Sequence, residues 1–263
     1  MLESAILGII QGIAEWLPIS SEGMLVLVQT SFFGETSIRS AIELALFLHL
    51  GTFLAALVYF REDVRQLLAV FFNYSKTQAA DKTLLHFLII STIISGLLGY
   101  GLLELVTIAE DSILPTTKVI TAGIGILLLV TAFLQFRGNR GSNQLAAECS
   151  NRDAGILGVV QGFAALPGLS RSGLTVAALL LRGYGEAQAL RLSFLMSLPI
   201  VLGGNILLNI NKISVSLASV VGLLCSFVFG LVTIGVLLRI ARKIQFGYFA
   251  LGFGVLMLIA ALV

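Results

Sequence analysis

Apolar residues recur in long stretches along the whole chain, each close to the roughly 20 residues that a helix needs to cross about 30 Å of hydrocarbon. Six of them read as full membrane spans, over residues 41–60, 84–108, 118–136, 190–210, 217–240 and 246–263. Two others, 2–29 and 154–181, are apolar but interrupted by Pro, Gly and Ser. The breaks are Trp16-Leu17-Pro18-Ile19-Ser20-Ser21-Glu22-Gly23 and Leu166-Pro167-Gly168-Leu169-Ser170-Arg171-Ser172-Gly173, so each stretch reads as helix, break, helix.

The broken stretches match each other when shifted by 150 residues: Leu7 with Leu157, Gly8 with Gly158, Gln11 with Gln161, Gly12 with Gly162, Ala14 with Ala164, Ser20 with Ser170, and Gly23 with Gly173. Shared membrane composition does not supply matched glutamines and glycines, so the pattern reads as an internal duplication. If each broken stretch is a re-entrant hairpin, the fold is all-α and polytopic: two units of one hairpin plus three spans. Repeat one covers about 1–136 and repeat two about 154–263, joined by a cytoplasmic loop at about 137–153. Three spans between the hairpins place them on opposite sides, with their tips meeting near the midplane, as in inverted-topology repeats.

Loop charges agree with this layout, because cytoplasmic loops carry the excess Lys and Arg. One side collects Arg61, Arg65, Lys76, Lys82, Arg137, Arg140, Arg152, Arg182, Arg191, Arg239, Arg242 and Lys243, and the other only Arg39, Lys118 and Lys212. The first side is expected to be cytoplasmic, with both termini and the mouth of the first hairpin outside.

Composition narrows the function classes. With 57% hydrophobic and 11% charged residues, the chain has about half the charged fraction of an ordinary soluble domain. The first apolar stretch has no basic n-region and contains Gln11 and Glu15, unlike a signal peptide. A net charge of +2 is too weak to suggest a nucleic-acid partner. Cys149 and Cys225 sit at different expected depths and read as free thiols.

Ionisable groups at membrane depth cost several kcal/mol and need a reason to be there. Glu15 and the tip residue Arg171 are therefore the chief suspects. Gln11 and Glu15 share a helix face at i, i+4 and can present an amide and a carboxylate to one ligand or metal; the plainer reading is a polar pair holding two helices together. Ser20 and Ser170 precede renewed helices, where hydroxyls cap free N–H groups. Capping alone does not call for Arg171, whereas a half-helix N-terminus with Ser170, Ser172 and a guanidinium is an anion site. Ser21 is a candidate nucleophile, with Glu15 as its base or as a ligand for Mg²⁺ or Ca²⁺, which prefer oxygen donors; spacing does not separate these roles. His49, inside a span, fits a packing histidine as well as a proton carrier.

At Gln11-Gly12-Ile13-Ala14-Glu15, Leu17-Pro18-Ile19-Ser20-Ser21 and Pro167-Gly168-Leu169-Ser170-Arg171-Ser172-Gly173-Leu174-Thr175, the chain resembles the undecaprenyl-diphosphate phosphatase family, also called the bacitracin-resistance family. The resemblance continues at Leu48-His49-Leu50-Gly51-Thr52 and from Arg191 to Pro199, so it covers nearly the whole chain. The family's (E/Q)xxxE and PGxSRSxxT motifs are met by Gln11, Glu15, Pro167, Gly168, Ser170, Arg171, Ser172 and Thr175. What the resemblance implies is removal of the terminal phosphate of undecaprenyl diphosphate, which recycles the carrier lipid of cell-wall synthesis. It further implies Ser21 as nucleophile, an acidic motif working with a divalent cation, Arg171 on phosphate, and Ser20, Ser170, Ser172 and Thr175 around the substrate. The setting implied is the bacterial cytoplasmic (inner) membrane, with the site opening toward the outer face; separately, a homodimer is compatible with the sequence. One position departs: where the family has a histidine after the serine pair and glycine, this chain has Met24, which cannot transfer a proton.

Inverted repeats with broken helices are also the architecture of secondary transporters, so a transporter or flippase of polyprenyl phosphate is the competing reading. A purely structural membrane subunit leaves Arg171 without a reason.

Overall fold

A computed structural model describes residues 1–17, 19–34, 38–110, 117–137, 149–166, 169–208, 216–240 and 246–262, and every regular element among them is helical. Pro18, Pro167, Gly168 and the connecting residues 138–148 lie outside the described residues. The helices are α1 (Leu2–Ala14), α2 (Ser21–Phe32), α3 (Ile38–Tyr59), α4 (Arg61–Phe72), α5 (Ala79–Glu110), α6 (Thr117–Arg137), α7 (Asn151–Phe163), α8 (Arg171–Leu181), α9 (Glu186–Leu208), α10 (Leu217–Ile240) and α11 (Phe246–Leu262), with one 3₁₀ turn at Tyr74–Lys76. A helix satisfies its own backbone groups, which is what an apolar stretch in hydrocarbon requires.

The six expected spans fall on α3, α5, α6, α9, α10 and α11. Among the described residues, three segments are by themselves long and apolar enough to cross a membrane: Lys82–Leu105, Glu186–Leu207 and Leu217–Ile240. α3 runs directly into α4 at a bend of 80°. The sequence reading gave no element to α4, whose first turn is charged and whose 12 residues are too short to span.

Both broken stretches are helix, break, helix. α1 ends at Ala14 and α2 starts at Ser21; α7 ends at Phe163 and α8 starts at Arg171. The restarts are built alike. Ser20 (φ −72°, ψ 107°) and Ser170 (φ −75°, ψ 112°) are extended N-caps, and the hydroxyl of each accepts from the backbone N–H three residues on, Gly23 or Gly173, at 3.1 Å.

The halves are interlaced. α1 lies along α10 and α7 along α5, so each broken stretch packs on a helix from the other half, while α6 and α11 pair with each other. Small residues allow the approach. A Cβ on Gly12 would lie 2.7 Å from the backbone nitrogen of Gly230, and one on Gly158 would lie 2.8 Å from Cβ of Ile94. The largest apolar cluster includes Trp16, Phe60, Phe87, Leu157, Tyr184 and Phe194. The Trp16 and Phe194 rings meet edge to face at 4.7 Å, fixing the break after α1 against α9.

Candidate active site

The break after α1 carries Glu15, and four donors from three parts of the chain converge on its carboxylate. Gln11, one turn earlier, donates from Nε2 to Oε2 at 3.0 Å, as the i, i+4 spacing requires. Ser21 donates from Oγ to the same oxygen at 2.9 Å across the break. His49, carried in by α3, places Nε2 3.0 Å from it. The other oxygen, Oε1, takes Nη2 of Arg171 from the second broken stretch. The Glu15, His49 and Arg171 side chains retain 5%, 11% and 14% of their exposure, so this is a buried carboxylate between two basic groups. Such a charge is tolerated only when paired and hydrogen-bonded.

The ring of His49 is held from its other side, with Nδ1 2.6 Å from the Ala45 carbonyl. A carbonyl and a carboxylate both accept, so a ring placed between them is satisfied with a proton on each nitrogen. Arg171 is braced too: Nη1 donates to the Ser193 carbonyl at 3.3 Å. Thr175 Oγ1 donates to the Arg171 carbonyl at 2.8 Å and lies 2.6 Å from Oγ of Ser193. Ser172 Oγ donates to the Leu17 carbonyl at 2.7 Å, joining the two breaks directly. Its oxygen is 3.3 Å from Oγ of Ser170.

Gln11, Glu15, Ser20, Ser21, His49, Ser170, Arg171, Ser172 and Thr175 thus lie in one region. Gln11, Ser21, His49 and Arg171 each reach the Glu15 carboxylate. Ser20 and Ser170 cap α2 and α8 through their oxygens, and the O–H of Ser170 is directed at Ser172, whose own proton goes to Leu17. Thr175, fully buried, is turned toward α9 and its own helix. Sequence reasoning missed Ser193, the brace of Arg171. The brace is a main-chain carbonyl, which any residue at that position supplies, so residue type carried no signal for it.

The donor set bears on a cation. Oε1 of Gln11 is buried with no hydrogen-bond partner, on the amide whose nitrogen donates to Glu15. Two oxygen donors of this kind suit Mg²⁺ or Ca²⁺. Among the described residues no group of three or more His, Cys, Asp or Glu side chains is arranged to hold a metal. An ion on these two donors would take its remaining ligands from a bound anion.

Comparison with known proteins places these residues in context. The family described as "Bacitracin resistance protein BacA" matches residues 4–259. A protein of Methanococcoides burtonii named "Undecaprenyl-diphosphatase" is 48% identical over 259 residues, covering 97% of this chain and 96% of that one. Proteins of the same name from Haloarcula marismortui and Methanothrix thermoacetophila are each 38% identical, covering 94% and 98% of this chain and 92% and 95% of theirs.

Proposed function

We propose that this chain, which belongs to the bacitracin resistance protein family, is an integral membrane phosphatase that converts undecaprenyl diphosphate to undecaprenyl phosphate and so recycles the carrier lipid of cell-wall synthesis. The observation that carries this reading is the meeting of Ser21, Glu15 and His49 from the first half with Arg171 from the second, in a site that little solvent reaches.

In this reaction the guanidinium of Arg171 and the free N–H groups at the starts of α2 and α8 take the diphosphate oxygens. Ser21 Oγ attacks the terminal phosphorus and passes its proton to Oε2 of Glu15. The bond from that phosphorus to the bridging oxygen breaks, and the lipid monophosphate leaves with that oxygen. Water then attacks the phosphoserine, phosphate departs, and Ser21 regains a proton. His49 supplies the proton-carrying group that Met24 cannot. A divalent cation would be held by Oε1 of Gln11 and the Glu15 carboxylate, and when bound it would neutralise charge on the diphosphate.

The architecture proposed is six spans, α3, α5, α6, α9, α10 and α11, with α1–α2 and α7–α8 as re-entrant hairpins of an inverted repeat over 1–136 and 154–263. Two observations support it: α1 on α10 is matched by α7 on α5, and the two hairpins restart with the same serine cap. The excess of Lys and Arg in the loops supports the proposal that residues 137–153 are cytoplasmic, in a chain held by the cytoplasmic membrane with its site opening outward.

The test is phosphate release from purified protein given undecaprenyl diphosphate in detergent or vesicles, with lipid monophosphate as co-product. Translocation of polyprenyl phosphate with no phosphate released would overturn the reading in favour of a flippase.

A further inference from the structure

Helix α4 lies outside the catalytic cluster, and three stripes run along it at about 100° per residue. Asp63, Val64, Leu67 and Val70 face the protein, with Val64 and Leu67 against the main apolar cluster. Arg61, Glu62, Arg65 and Ala69 form an exposed, largely polar stripe. Leu68, Phe71 and Phe72 spread over about 100°, overlapping the edge of each stripe, and leave 52%, 57% and 77% of their surface open. A two-sided helix on a soluble protein has no use for the third stripe.

The roll and tilt of α4 are fixed at both ends. Near its start Arg191 of α9 forms an ion pair with Asp63, which keeps the inner stripe inward. Just after its end Tyr74 donates to or accepts from Nε2 of His86 on α5 at 2.9 Å, with Nζ of Lys82 4.6 Å from the Tyr74 ring centre. The 80° bend sets α4 almost at right angles to α3. A helix perpendicular to a spanning helix lies along the membrane surface, and a tyrosine beside a lysine is typical of that level.

We propose that α4 is an in-plane interfacial helix. Leu68, Phe71 and Phe72 seat in the acyl chains of the leaflet where α3 ends, and Glu62, Arg65 and Ala69 lie among the headgroups. The occupant of the apolar stripe is therefore lipid. The seat anchors the edge of α9, which carries Ser193 two residues beyond Arg191. The inference rests on α3 being a span.

The experiment uses full-length chain with Cys149→Ser and Cys225→Ser, and a nitroxide on one new cysteine at a time: Glu62→Cys, Arg65→Cys, Leu68→Cys, Ala69→Cys, Phe71→Cys or Phe72→Cys. Each is reconstituted in phosphatidylcholine–phosphatidylglycerol vesicles and probed for collisions with oxygen, which concentrates in acyl chains, and with a water-soluble nickel chelate. The expected result is oxygen-dominated collision at 68, 71 and 72, and nickel-dominated collision at 62, 65 and 69. Nickel reaching all six alike would overturn the inference, because the stripe would face water. Protection of 68, 71 and 72 from both probes would overturn it as well, in favour of a protein partner such as a second copy. Labels at Leu54→Cys and Val58→Cys test α3 separately: nickel contact there would remove the span itself.

Discussion

Ser20 and Ser21 are adjacent hydroxyls at the start of α2 with different attachments, and replacing each by alanine separates stability from chemistry. Ser20 caps the helix through the Gly23 N–H at 3.1 Å, and Ser21 donates to Glu15 at 2.9 Å. Ser20→Ala removes a cap and should cost about 1 kcal/mol of stability. Ser21→Ala leaves that cap in place and removes one hydrogen bond to a charged group, about 1.5–3 kcal/mol at most. Glu15 keeps its other three donors, Gln11, His49 and Arg171, so the diphosphate site stays formed. Turnover should divide the other way. Ser20→Ala should keep activity within about tenfold, since about 1 kcal/mol is worth less than one decade. Ser21→Ala removes the attacking atom and should lower turnover at least a thousandfold, about 4 kcal/mol of barrier. The assay is phosphate release from undecaprenyl diphosphate at saturating lipid, with thermal unfolding of both variants alongside and acid-quench trapping of phosphoserine in the parent. Ser21→Ala turning over within tenfold of the parent would refute the nucleophile assignment, whatever its stability.

Other substitutions probe the surrounding scaffold. Arg171→Ala should abolish measurable phosphate release, and Arg171→Lys should restore only part of it, because an ammonium cannot reproduce the two-pronged contact; full activity in either would remove the anion site. His49→Gln should lower turnover by about 10²–10⁴-fold, with Met24→His recovering part of that loss when added to it, as read from the same assay. Gly12→Val should lower unfolding temperature and activity together, at about 1–3 kcal/mol, because its Cβ meets the Gly230 backbone at 2.7 Å; Gly155→Ala, with open space around it, should be neutral or stabilising. A cysteine at Ser142 in a chain with Cys149→Ser and Cys225→Ser should resist impermeant thiol reagents in intact cells and react after permeabilisation. Native Cys149 is a poor reporter for that test, since it is buried and burial pushes its thiol above the ordinary range.

What was legible in the sequence follows from what bilayer physics imposes locally. Apolar length marked the helices, with 217–240 matching α10 at both ends. The 150-residue shift pointed to Ser20 and Ser170, which adopt the same cap. The i, i+4 spacing placed Gln11 beside Glu15, and they are hydrogen-bonded. Contacts set by how helices cross were not legible. Nothing in the spacing of His49 says that α3 brings it to Glu15 and leaves it out of the lipid-facing surface. The bracing of Arg171 by Ser193 depends on α9 passing the start of α8. α4 was hidden for a different reason: a helix that lies across another's end has neither the length of a span nor the polarity of a loop.

The interlacing of the halves also bears on how the protein is made. α1 leaves the ribosome first, yet the helix it packs on, α10, begins at Leu217. At about 5–20 residues per second the ribosome needs roughly ten to forty seconds to supply it. Throughout that interval the face bearing Gly8 and Gly12 has no partner, and Gln11 and Glu15 stand in a nascent membrane segment without Arg171 to pair with. Such a segment is a natural client for the insertion machinery and for membrane quality-control proteases. A chain truncated before α10 should therefore be cleared instead of accumulating as a half-built helix bundle.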